Sequence, residues 1–197
     1  MIMLTGAGPT LGVAFRRANM VLAKDRVIST LTWGPLVHTE LWLYSGDGSR
    51  PRTYGAFQGT SGFMPSHPFR DKSEQWVVVR YALAPGGYER VYAVILQLLS
   101  MNMPYNARDL WQCCIKVALP FEKDLDCERP ETWKGGVFCS QAALLVLRRL
   151  QRQGVLSHSP EGLRTLIETT NSRGCSPNAL YDLLSPPGPY RGKLKKT

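Results

Sequence analysis

The sequence predicts an α+β domain, and three observations lead there. Segments with strand character fall before Leu83, segments with helical periodicity follow it, and no internal repeat spans the two halves. The third is size: 197 residues, 44% of them hydrophobic, suffice for one well-filled core and are too few for two ordinary domains. Residues 1–185 are therefore expected to form a single domain with an irregular N-terminal arm, and residues 186–197 a basic, flexible tail.

The segment through Thr10 is rich in Gly and Pro, has no clean period, and reads as an extended arm or irregular edge. From Val37 to Tyr44 β-branched and aromatic residues run up to the turn-forming Ser45-Gly46-Asp47-Gly48, the pattern of a strand, with Thr53–Gln58 as its hairpin partner. Residues 75–83 make a third, buried strand, which Pro85-Gly86-Gly87 breaks. Beyond it Val91, Ile95, Leu98 and Leu99 recur at the spacing of one helix face. A second helix is expected over 106–117, with the cysteines beside Trp111 on a buried face, and 120–134 is expected to be a charged surface loop. After Gly135-Gly136, Val137-Phe138-Cys139-Ser140 leads into a helix whose Ala143, Val146, Leu147 and Leu150 share a face, and which Gly154 ends. Ser159-Pro160-Glu161 and Ser176-Pro177-Asn178 each place a capping serine before a proline at the first helical position, the signature of two further helix starts.

Composition narrows the function classes. The apolar runs Val91–Leu99 and Ala142–Leu147 are far shorter than the roughly 20 residues that cross a bilayer, and the N-terminus lacks a basic patch followed by a long apolar core. The expectation is a protein with no transmembrane segment and no secretory signal. Five cysteines, with Cys113 and Cys114 adjacent, make a poor disulfide framework, so a cytoplasmic or other reducing compartment is expected. The net charge of +9 comes with no nucleic-acid-binding motif, and part of it sits in Arg191, Lys193, Lys195 and Lys196. A solvated tail is the simplest reading, with contact to nucleic acid, an anionic lipid surface or an acidic protein as the alternative. No cofactor is called for, and a zinc site from Cys113, Cys114, Cys127 and Cys139 is disfavoured because structural sites pair ligands as Cys-x2–4-Cys.

Cys139 is the candidate nucleophile. It opens a helix whose unpaired N–H groups favour a thiolate and can hold a developing oxyanion, and the glycines before it allow a backbone or substrate to come close. Of the three histidines, His67 lies in a Pro-Ser-His-Pro loop and His158 precedes a helix cap. His38 instead sits inside an apolar strand, where an imidazole needs a reason to be. Glu40, two residues on, shares its face and can orient the ring. The bland alternatives are a core cysteine, a hydrogen-bonded structural histidine and a solvated strand-edge glutamate.

Val37-His38-Thr39-Glu40-Leu41-Trp42-Leu43, followed about a hundred residues later by Val137-Phe138-Cys139-Ser140-Gln141, resembles the circularly permuted branch of the NlpC-type papain-like cysteine hydrolases. There the histidine strand precedes the cysteine helix, and Pro104-Tyr105-Asn106 is similar to the element upstream of the cysteine in bacterial and poxviral members. The resemblance covers roughly residues 30–150. It implies a permuted papain-like fold, a small antiparallel sheet packed on helices, and cysteine-dependent acyl hydrolysis with Cys139, His38 and Glu40 as catalytic residues. Many relatives carry the third polar residue on the following strand, where this chain departs from the pattern by having no acid; Glu40 fits the His-x-Glu variant, with Gln58 as the alternative third residue, and Tyr105 and Gln141 fall near the groove. A peptide or other amide is the favoured substrate, and lipid acyl transfer is an alternative within the superfamily. A different class of function is a catalytically silent structural or binding component of a larger assembly such as a virion, held through its terminal arms.

Overall fold

A computed structural model of the chain describes residues 8–32, 34–57, 62–66, 75–115, 123–133, 135–156 and 161–185. Gln58, His67, His158, the first seven residues and the tail 186–197 lie outside the described residues. The elements run β1 (Thr10–Arg17), α1 (Ala23–Leu31), β2 (Leu36–Tyr44), β3 (Arg52–Phe57), β4 (Gly62–Pro65), β5 (Trp76–Ala82), α2 (Gly87–Ser100), α3 (Ala107–Ile115), α4 (Cys139–Arg152), α5 (Glu161–Thr169) and α6 (Pro177–Leu184). The five strands form one antiparallel sheet in the order β4-β3-β2-β1-β5. The α+β class therefore holds, and no helix among the described residues is long and apolar enough to cross a membrane.

Alternation sorts the sheet into two faces. Leu11, Val13 and Phe15 of β1, Leu41 and Leu43 of β2, and Tyr54 and Ala56 of β3 join the large core built with α2 and α4. The intervening His38, Glu40 and Trp42 point the other way. Strand β1 pairs with both β2 and β5, yet the pattern that announces a strand is weak in it. Leu11 and Val13 to Phe15 are all fully buried, so this central strand reads as an unbroken apolar run with Gly12 and Ala14 interspersed, not as an alternation. Helix α1 is also unforeseen, because its one buried residue is Asp25 and it shows no apolar stripe.

Several expectations need correction. Strand β5 is largely half-exposed instead of buried, because it pairs only with β1 among the described residues and takes the edge. The segment expected to be a surface loop over 120–134 is more than that in its described part, 123–133: Cys127, Pro130 and Trp133 are buried, and the Trp133 indole donates to the Asp126 carbonyl at 2.7 Å. Trp111 is 47% exposed, so it lies on the solvent side of α3 while Asp109 and Leu110 of the same turn are buried.

Helix α4 is buried on every side, not along one face, because it contacts β2 and β3 of the sheet as well as α5 and α6. A helix so enclosed carries its polar residues inside. The Arg148 guanidinium donates to the carbonyls of Ile167 and Thr170 and to the Asp124 carboxylate, and Asp124 in turn accepts from the N–H and hydroxyl of Ser172. At α6 the Ser176 hydroxyl accepts the Ala179 N–H at 3.2 Å, with Pro177 in the first turn, as the sequence implies. The next residue, Asn178, ties α6 to the start of β2. Its side chain accepts from the Leu36 N–H at 3.1 Å and donates to the Leu36 carbonyl at 2.9 Å and to Thr32 Oγ1 at 2.8 Å.

Candidate active site

The cysteine turn is built by two segments lying side by side. Tyr105 pairs in parallel with Val137: the Val137 N–H donates to the Pro104 carbonyl and the Asn106 N–H to the Val137 carbonyl, each at 3.2 Å. Gly136 makes the approach possible, since its φ of +76° is a left-handed conformation and any β-carbon there would run into the Pro104 carbonyl. Phe138 is extended, and Cys139 is the first residue of α4. The Phe138 N–H donates to Gln141 Oε1 at 3.3 Å, which is half of a capping box, because phenylalanine has no acceptor to return. Gln141 Nε2 donates to Asp109 Oδ2 at 3.3 Å, and the same oxygen accepts from Arg173 Nη1 at 2.8 Å. Asn106 caps α3 by accepting the Asp109 N–H at 2.9 Å. Gln141 therefore braces the turn, and Tyr105 packs on the small cluster formed by Leu110, Phe138 and Cys139 with Leu31 and Cys113.

His38 and Glu40 meet as their shared strand face requires, with His38 Nε2 3.3 Å from Glu40 Oε1. It is an ion-pair contact and does not count as a hydrogen bond. The other carboxylate oxygen accepts from Trp42 Nε1 at 3.2 Å and from Ser66 Oγ at 2.8 Å. Ser66 is fixed by its own N–H to the Thr53 carbonyl at 2.8 Å and by Thr53 Oγ1 donating to its carbonyl at 2.7 Å. Around the imidazole stand Phe57, with ring centroids 4.9 Å apart, and Trp76 at 6.3 Å, the latter also against Trp42.

Cys139, the first residue of α4, completes the constellation: it and Glu40 are the two groups that favour the charged form of His38. Burial by itself pushes the imidazole down. Its interactions with Cys139 first and Glu40 second outweigh that and raise the group from 6.5 to about 9. The three groups are well covered: Cys139 and Glu40 are each 3% exposed, and the His38 side chain 15%.

Of the residues singled out from sequence, the structure brings Cys139, His38 and Glu40 together. Trp42, Ser66, Phe57 and Trp76 were missed, as were Asp109 and Arg173. Trp42 was legible in principle, two residues beyond Glu40 on the same face. Ser66 carries no local signal, since its role depends on β3 and β4 pairing. Comparison of the chain with models of protein families, with curated proteins and with solved structures gave no match. What fold and geometry define is a class: an α+β chain in which a strand histidine, a buried glutamate and a helix-opening cysteine converge.

The histidine makes a pH prediction. Its folded value lies above the unfolded 6.5, so the folded state holds the extra proton, and the resulting stability is full below pH 6.5 and lost as pH rises through about 9. Urea unfolding should show wild type losing up to about 3 kcal/mol more than His38→Gln over that window. A difference between the two proteins that does not change with pH contradicts the raised value.

Proposed function

We propose that the chain is a cysteine-dependent acyl hydrolase of permuted papain-like fold, acting on a peptide or other amide bond. The observation that carries this reading is the contact of Cys139, at the first position of a helix, with a histidine that is also paired to a buried carboxylate. In the reaction Cys139 Sγ attacks the carbonyl carbon with its proton already held by His38. Charge moves onto the carbonyl oxygen, where the unpaired N–H groups of the first turn of α4 stabilise it. Collapse of the intermediate expels the amine, which leaves with the proton from His38. Water, deprotonated by His38, then cleaves the thioester and frees the acid and Sγ. Glu40, held by Trp42 and Ser66, keeps the ring in place and stabilises its charged form. Transfer of the acyl group from a lipid is the same chemistry with a different donor. A reducing compartment suits a mechanism that needs a free thiol.

A second reading also rests on an observation. Cys139 is almost wholly covered, which favours a catalytically silent component of a larger assembly such as a virion. The two readings part on thiol alkylation by iodoacetamide from pH 5 to 9, with labelled residues located by mass spectrometry. Catalysis expects Cys139 to be labelled at pH 6 and to slow by about tenfold or more in a folded His38→Ala protein. Cys127 and Cys175 serve as internal references, because burial pushes their thiols up to about 11 and about 12. An inert Cys139, or one indifferent to His38, makes the silent component the better account.

A further inference from the structure

The turn from β1 into α1 carries apolar side chains where the fold does not need them. Val21 is 85% exposed and Met20 59%, and Leu22 and Val27 are exposed beside them. Helix α1 packs on α3, which adds the exposed Trp111. Single exposed apolar residues are ordinary, but four within eight positions of one turn and helix form a surface.

Among the described residues 17–31 and 107–115, the exposed charges all have one sign. Arg17, Lys24, Arg26 and Arg108 are exposed. The one acid of α1, Asp25, is buried and bonded by the Arg16 guanidinium at 2.8 and 3.0 Å, with the Asn19 N–H at 2.9 Å. The one acid of α3, Asp109, is buried against Arg173. Exposed apolar tips interspersed in the chain with exposed cations, with each acid of both helices buried and paired, match the interface of an anionic bilayer, where the tips enter the acyl boundary and the cations meet phosphate.

From this we infer that the β1–α1 turn, with α1, docks the protein on anionic lipid. The surface also lies next to the reactive pair: Leu31 of α1 and Leu110 of α3 pack in the cluster that holds Cys139. Docking does not depend on the catalytic reading, so its failure and that of the hydrolase are separately visible.

The test is co-sedimentation of the full chain with vesicles of phosphatidylcholine alone and of phosphatidylcholine with phosphatidylserine. Wild type is expected to sediment with the anionic vesicles, less so as salt rises, and weakly with phosphatidylcholine alone. Val21→Asp with Leu22→Asp, and separately Arg17→Glu with Lys24→Glu and Arg26→Glu, should each weaken that binding by about tenfold or more. Circular dichroism melts serve to check that both variants fold. The inference fails if wild type ignores anionic vesicles. It also fails if both variants bind as wild type does while Lys193→Ala with Lys195→Ala and Lys196→Ala abolishes binding, which assigns the effect to the tail. A wild-type dimer that Val21→Asp with Leu22→Asp dissociates without lipid assigns the surface to a second copy and overturns it likewise.

Discussion

Gly136→Ala should destabilise the protein by about 3–5 kcal/mol and remove any reactivity Cys139 has. The added methyl would collide with the Pro104 carbonyl, in a conformation that is left-handed at φ +76°. That carbonyl cannot step aside cheaply, since it accepts the Val137 N–H in the bridge that sets the turn before α4. Either the bridge breaks or the turn shifts, and both displace Cys139 from His38. Gly154→Ala is the control. Its φ is +65°, but nothing lies within 4 Å of the methyl, so it should cost only about 1 kcal/mol, the price of the conformation itself. Urea unfolding of the two proteins separates clash from conformation, and equal losses would contradict the account of the turn.

Arg148→Met should cost about 3–5 kcal/mol, because it leaves Asp124 and two carbonyls facing an apolar chain in the interior. Arg148→Lys should recover little, since one ammonium cannot reach three acceptors set apart for a planar fork. Adding Asp124→Asn to Arg148→Met should restore part of the loss by removing the stranded charge. Additive effects in that double variant would mean the two side chains do not act as a pair.

How far the sequence could be read follows from how local each signal is. Val37–Tyr44 announced β2 through β-branched and aromatic residues, and Ser176-Pro177 announced α6, because both are settled within a few residues. Cys139, His38 and Glu40 were legible for a similar reason: a polar residue in an apolar strand, its neighbour at period 2, and a thiol at a helix start each break a local expectation. The central strand β1 was not, since burial on both faces erases the alternation that marks a strand. Nor was α4 legible as an enclosed helix, because its buried Arg148 and Gln151 look like a solvent face until Asp124 and the carbonyls of the α5 region arrive from elsewhere in the chain. Ser66 and Arg173 reach the site only through tertiary pairing, 26 and 64 residues from the partners they hold.

The Asn178 tie also sets when the site can exist. His38 leaves the ribosome early, and the residue that pins the start of its strand lies 142 positions beyond the Leu36 it holds. Through most of synthesis the nascent chain thus has a histidine strand with a loose first residue, and until α4 emerges it has no thiol partner. Closing so long a loop is slow compared with forming any one hairpin or helix. The thiol and the pin of the histidine strand both lie in the last third of the chain, so the meeting of thiol and imidazole waits on the distant end of the sequence.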